Sequence, residues 1–276
     1  MVIWQARRNA RPEPGPGAGD VTSGRVLFDR AVALGRDDPA ATAAAYQLVI
    51  DCCGDDPGQR ELVAAALFNQ AAAVLGSGQP ADALPAIDRA VAIYRELDHG
   101  PQLQQALGLQ AEARATALFN EAVALGRDPR PESAEIAAMV YAEVVRRYGH
   151  EPALANLTAK ARFNRAQLLG GLRRDAEAAA AFGELAEVAG TEPGLREMAA
   201  KARYSQAVML RRRCRTSEAQ AAIGQAVSLY AELVAAEPDR YRGAMDRAEE
   251  IAAQLNGSTW ADAVADDASW TGAAWG

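Results

Sequence analysis

Lysine and histidine are almost absent from this sequence of 276 residues. Lys160 and Lys201 are the only lysines, and each stands between two alanines. A phosphate-binding P-loop needs Gly-Lys followed by Ser or Thr, so that class of nucleotide site is excluded. His99 and His150 are the only histidines; neither has a partner at metal-ligand spacing, and no HExxH motif occurs. We therefore expect neither a cofactor nor a metal ion.

Cysteines and aromatic residues are also few. The three cysteines, Cys52, Cys53 and Cys214, are odd in number, and two are adjacent, which does not indicate a disulfide framework. No activating base accompanies them at a recognisable spacing, so a cysteine nucleophile is not indicated. Aromatic residues make up 6% of the chain, fewer than a β-rich fold would use. The sequence predicts a protein that is not an enzyme.

Positive charge is in deficit. The formal net charge is -7 and the pI is near 5.1, which opposes a general grip on nucleic acid. No apolar run approaches the length of a membrane span, and the first residues, MVIWQARRNARPEPGPG, do not resemble a signal peptide. We expect a cytoplasmic protein that contacts neither nucleic acid nor membrane. Its oligomeric state is left open.

The sequence does contain an internal repeat. Five segments, beginning at Val26, Ala66, Ala117, Ala161 and Ala202, each carry an aromatic residue three positions before an alanine. The aromatic residues lie 40, 51, 44 and 41 positions apart. They are Phe28, Phe68, Phe119, Phe163 and Tyr204. Recurrence at this period is typical of arrays of short helical units.

A second regularity lies within the repeats. Ala71 is followed after 12 residues by Ala83 and after 7 more by Ala90, and the repeats from Ala161 and Ala202 have nearly the same spacing. Two antiparallel helices joined by a tight turn approach closely only where both carry small residues. The pattern therefore predicts paired helices, and prolines such as Pro39 and Pro80 fall where helices should begin.

The segment ALFNQAAAVLGSGQPADALPAIDRAVAIY, from Ala66 to Tyr94, resembles a tetratricopeptide repeat, with Gly78 at the turn between its helices. The resemblance implies an all-α fold: an α-solenoid of about five such hairpins, followed by a C-terminal capping helix after Pro238. We expect a disordered arm over residues 1–22, the repeat array over 23–256, and a disordered, acidic tail over 257–276. The repeats from Val26 and Ala117 match in their first helices better than in their second.

The resemblance also implies a function: a scaffold that binds a polypeptide segment of a partner in a concave groove lined by the first helices. An asparagine follows the repeated aromatic in three repeats, and its amide suits a peptide backbone; the alternative is that it only bonds its neighbours. Lys160 and Lys201 stand three residues before their aromatics, where related clamps for carboxylate termini carry lysine, and Arg211 and Arg212 end the same helix as Lys201. The predicted groove residues are Asn69, Asn120, Lys160, Asn164, Gln167, Lys201, Arg211 and Arg212.

The sequence leaves open an alternative function and the role of the C-terminal tail. A regulatory sensor that binds a small signal peptide is the alternative function, although no output domain is visible. The tail carries Trp260, Trp270 and Trp275, which we interpret as a short linear motif for another protein, since buried tryptophan contributes large contact area. The tail could equally be plain disorder or fold back on the array. The partner's identity is not predicted.

Overall fold

The computed structural model describes residues 18–35 and 38–257, and within these ranges the chain is helical without strands. Eleven α-helices and three short 3₁₀ turns are present there. The helices are α1 (Ala18–Leu34), α2 (Pro39–Cys53), α3 (Arg60–Gly76), α4 (Pro80–Glu96), α5 (Gly100–Gly126), α6 (Pro131–Tyr148), α7 (Ala155–Gly171), α8 (Asp175–Gly190), α9 (Arg196–Arg212), α10 (Thr216–Ala236) and α11 (Pro238–Gly257).

The chain divides into two compact units, with the boundary between Ala117 and Leu118 inside α5. In the first unit α1 packs on α2, α2 on α3, and α3 on α4. In the second unit each helix from α6 to α11 packs on the next. Within each unit, helices that follow one another in the chain are therefore neighbours in space, which confirms the predicted all-α, repeat-type architecture. Next-but-one helices also meet, α1 with α3 and α7 with α9.

Small residues lie at the closest helix contacts, as their spacing predicted. Ala71, Ala83 and Ala90 are at most 1% exposed, and Ala166 and Ala178 are fully buried. Each second helix buries a larger apolar side chain one turn later, which fills the space beside the alanine contact. Extra methylenes at such a contact would force the two helices apart, typically at about 1–3 kcal/mol.

Pairs of aromatic rings join the first and second helices of three repeats. In each pair the ring centroids lie 5.3–5.5 Å apart and the rings meet edge to face, an arrangement favoured by their quadrupoles. The pairs are Phe28 with Tyr46, Phe119 with Tyr141, and Phe163 with Phe182. The repeats from Val26 and Ala117 therefore possess second helices equivalent to the others.

Turn length explains why the sequence pattern was weak in those two repeats. The small residue of the second helix follows that of the first by 12 positions in the repeats from Ala66, Ala161 and Ala202. In the first repeat the interval from Ala31 to Thr42 is 11, and in the third the interval from Ala122 to Ala137 is 15. Thr42 is 6% exposed, and its hydroxyl donates to the carbonyl of Gly35 at 2.8 Å, so a polar residue is accommodated at the tight contact.

Proline marks the helix starts, as predicted. It occupies the first turn of α2, α4, α6 and all three 3₁₀ turns, where its missing N–H costs nothing. Pro85 lies inside α4, in its second turn. Helix α1 begins at Ala18, and α11 ends at Gly257.

Each of two repeats is closed by an ion pair that the sequence analysis did not anticipate. Arg60, the first residue of α3, contacts Glu96, the last residue of α4. Arg196, the first residue of α9, contacts Glu232 near the end of α10. Both pairs span 36 residues, so they occupy equivalent places in the repeats.

Candidate binding surface

The predicted groove residues of the second unit fall on two neighbouring first helices. Lys160, Asn164 and Gln167 are spaced by four and three residues along α7, so they share one face of that helix. Lys201 and Ser205 take the equivalent places on α9, which contacts α7. Lys160 is exposed and the other four are partly exposed. We call these five residues the α7–α9 face.

Asn164 is held by the repeat before it. Its side-chain nitrogen donates to the hydroxyl of Tyr141, on α6, at 3.1 Å. Burial raises the pKa of Tyr141, and the hydrogen bond from Asn164 partly opposes that shift. The geometry is therefore compatible with both a packing role and a binding role for Asn164. One N–H is used in packing, and its carbonyl oxygen and second N–H form no hydrogen bond with another described side chain.

Asn69 is the equivalent residue in the first unit, and it lies in the interior. Its side chain is adjacent to Tyr46, whose pKa is raised to about 12, mainly by burial. The residue is only 5% exposed, and its side-chain nitrogen has no hydrogen-bond partner in the part of the chain that the structure describes. We therefore leave Asn69 out of the candidate binding surface.

The two lysines differ in their surroundings. Lys201 forms an ion pair with Glu197 at 2.7 Å, one turn earlier on α9. Glu197 also accepts hydrogen bonds from Arg240 and Tyr241, both at 2.8 Å, which connects α9 to α11. Burial favours the protonated carboxyl, but these donors and positive charges outweigh it and lower the pKa of Glu197. Lys160 has no hydrogen bond or ion pair with any described residue.

The two predicted arginines have structural partners. Arg211 donates to the side-chain oxygen of Gln254, on α11, at 3.0 Å. Arg212 lies 3.4 Å from Asp175, and both side chains are only 10% exposed. A charge pair at this depth joins α9 to the start of α8 and would be costly to break. We leave Arg212 out of the binding surface for that reason.

Two other groups of predicted residues fall elsewhere. Asn120 is exposed on α5, in the second unit. The tail residues Trp260, Trp270 and Trp275 lie outside the described residues. The predicted roles of these residues stay predictions.

Sequence reasoning missed the hydroxyl partners of the asparagines. The signal was present, however: the second helix carries Tyr46 or Tyr141 where the following first helix carries asparagine. Where the second helix has Phe182, the following first helix has Ser205. A phenolic hydroxyl inside a helix stack needs a partner, and a phenyl ring does not. Comparing these three repeats would have revealed this pairing, although Asn120 follows a second helix that carries Ile87 at the same place.

Neither a metal-binding cluster nor a membrane-spanning helix occurs among the described residues. No group of three or more His, Cys, Asp or Glu residues within 18–35 and 38–257 is arranged to hold a metal ion. None of the helices in those ranges has the length and hydropathy needed to cross a bilayer. No protein-family model matches the sequence, and no curated protein matches it significantly.

Proposed function

We propose that this chain is a non-enzymatic scaffold of tetratricopeptide type whose α7–α9 face binds an extended polypeptide segment of a partner protein. The observation that supports it is the line of polar side chains at equivalent positions of two neighbouring first helices. An extended peptide presents alternating N–H and C=O groups, which the amides of Asn164 and Gln167 can pair with. Lys160, exposed and without a hydrogen bond or ion pair to any described residue, adds a positive charge suited to a carboxylate of the ligand.

The charge context supports selectivity for such a ligand. The chain is acidic overall, and Lys201 on this face is paired with Glu197, so Lys160 would attract an acidic group only at short range. Binding would depend on a few directed contacts rather than on a broad field. A reducing, cytoplasmic location belongs to the same proposal and is supported by the small, odd set of cysteines.

A peptide-array screen with the full chain, followed by pull-down of candidate partners, tests the proposal. The decisive variant is Lys160→Glu combined with Asn164→Ser, because serine already serves at the equivalent position 205. We expect a loss of affinity of about tenfold or more, corresponding to one charged and one neutral hydrogen bond.

The matched control is Arg89→Glu. Arg89 is exposed on α4, a second helix of the first unit, and the substitution changes net charge by the same amount. Affinity should be unchanged by this control. A partner that binds the Lys160→Glu/Asn164→Ser variant as well as the native chain would place its site away from the α7–α9 face.

A further inference from the structure

The first helices α7 and α9 correspond residue by residue. Each is 17 residues long and directly follows a 3₁₀ turn, and every position of α7 is matched by the position 41 residues later in α9. Lys160 and Lys201 are therefore equivalent, and the residues one helical turn before them are Asn156 and Glu197. Any difference between the two lysines in binding a ligand should come from their surroundings rather than from their place in the repeat.

The ammonium group of Lys201 is engaged by a carboxylate of its own helix. Glu197 lies 2.7 Å from it, and the same carboxylate accepts hydrogen bonds from Arg240 and Tyr241, which hold it in position. The side chains of Lys201 and Glu197 are only 27% and 31% exposed, so water screens this pair less than a pair at a fully exposed position. Glutamate four residues before lysine is also the favourable order on a helix. Glu197 therefore occupies the place beside Lys201 that an acidic group of a ligand would need.

The corresponding place on α7 carries no charge. Asn156 is exposed and its side chain is a neutral amide, and Lys160 forms no hydrogen bond or ion pair with any described residue. A ligand carboxylate that approaches Lys160 separates no existing ion pair. One that approaches Lys201 has to displace Glu197 or lie beside it, and two carboxylates side by side repel each other. Of two equivalent cations, the face therefore offers only the one on α7.

We propose that Glu197 and Asn156 set the charge pattern of the peptide that the α7–α9 face selects. The peptide carries one acidic group, which contacts Lys160, and an uncharged residue beside Lys201. A peptide with acidic groups at both places gains nothing from the second one, because Glu197 repels it, and specificity of this kind comes from the repulsive element. This inference rests on the proposed function and adds the class of ligand to it.

Helix spacing gives the separation of the two positions along the peptide. Helix α7 contacts α9, and the axes of packed helices lie about 8–10 Å apart. An extended peptide advances about 3.3 Å per residue. The acidic residue and the uncharged residue should therefore lie about three positions apart in the ligand.

Acylation of the two lysines tests the difference in their surroundings without a ligand. Lys160 and Lys201 are the only lysines of the chain, so peptide mapping after brief treatment with a sulfonated succinimidyl acetate measures each rate separately. We expect Lys160 to react faster in the native chain. Asn156→Glu should slow Lys160, and Glu197→Gln, which keeps an acceptor for Tyr241, should accelerate Lys201. Rates that stay the same in both variants would overturn the inference.

Peptides of defined charge test the binding itself. The probe is the peptide selected by the array screen, labelled and made with no acidic residue, with one, or with two that lie three positions apart. The native chain should bind the forms with one and two acidic residues equally. The Glu197→Gln variant should bind the form with two about threefold more tightly, as expected of an added ion pair on a partly exposed surface. A native chain that already gains affinity from the second acidic residue would refute the role of Glu197.

Exchanging the two residues should exchange the preference. The variant Asn156→Glu/Glu197→Gln should favour a peptide whose single acidic residue is moved by three positions, toward Lys201. Asn156→Gln, which adds no charge, and Ala180→Glu, which adds the same charge at an exposed position of α8, are the matched controls and should keep the native preference. No binding of any peptide form to the native chain would refute the proposed function. Binding with an unchanged preference in the exchanged variant would refute this inference alone.

Discussion

Cys214 lies in a backbone conformation that L-residues rarely adopt. Its φ is 56°, in the left-handed region, and Arg173 has φ 60° at the equivalent turn of the preceding repeat. Gly78 has φ 82° in the repeat from Ala66. In all three turns the residue that follows donates its N–H to a carbonyl five positions earlier, an arrangement that ends a helix with one left-handed residue. Two of the repeats thus use a side chain where glycine would be unstrained.

Two opposing effects determine how Cys214→Gly changes the free energy of unfolding. The left-handed conformation costs a residue with a Cβ about 1–2 kcal/mol, which glycine avoids. Glycine also raises the conformational entropy of the unfolded chain, which lowers the stability of the fold by about 0.4–1 kcal/mol. The difference predicts a stabilisation of about 0.5–1 kcal/mol. Cys214 is exposed, so loss of its thiol should add little.

Urea unfolding followed by far-ultraviolet circular dichroism measures this effect, with Cys214→Ala as the matched control. Alanine removes the thiol but keeps the Cβ, so it should show no gain. Gly78→Ala should lose about 1 kcal/mol, and this loss would be a pure backbone effect because the added Cβ meets no atom within 4 Å. If Cys214→Gly is no more stable than Cys214→Ala, strain at this turn is not a cost and the reasoning fails.

Three further predictions concern single contacts. Tyr141→Phe should lower the free energy of unfolding by about 1 kcal/mol, because the amide of Asn164 then loses its hydrogen-bond partner. Adding Asn164→Ser should recover part of this loss, and additive losses in a double-mutant cycle would contradict the prediction. Gly24→Ala should destabilise the fold by about 1–3 kcal/mol, because the added Cβ conflicts with the Cys53 side chain. Adding Cys53→Ala should remove that conflict and restore the unfolding midpoint, which is the measurement that tests the prediction. The lowered pKa of Glu197 contributes stability that is present above its unfolded value near 4.5 and is lost as pH falls through the folded value, so Glu197→Gln should show a flatter acid-unfolding curve.

The sequence predicted the helix pairs well because one physical demand controls them. Close helix contact requires small residues, and the buried Ala71, Ala83 and Ala90 record that demand at fixed intervals. The intervals failed only where turns changed length, as between Ala122 and Ala137. An insertion in a turn leaves the helices in place but shifts every later position, so spacing alone cannot identify the second helix.

Side-chain partners were harder to predict, because they depend on which helices become neighbours. The resemblance assigned Asn69 and Asn164 a common role in the groove, yet one is buried beside Tyr46 and the other is partly exposed beside Tyr141. The acidic sequence near Cys52 and Gln59 indicates only a solvated turn. It does not show that the side-chain nitrogen of Gln59 is buried without a hydrogen-bond partner among the described residues.

The pairing of tyrosine with asparagine limits what the repeated asparagine can mean for binding. A residue that completes the hydrogen bonding of a buried hydroxyl is constrained by packing whether or not a ligand exists. Where the second helix carries Phe182 instead of tyrosine, no buried hydroxyl needs a partner, and the following first helix carries Ser205 instead of asparagine. Asparagine at this position is therefore weak support for a peptide groove on its own. Lys160, beside Asn164, is exposed and forms no ion pair with a described residue, so it is the stronger indication of binding. Binding should accordingly depend more on Lys160 than on the number of asparagines in the array.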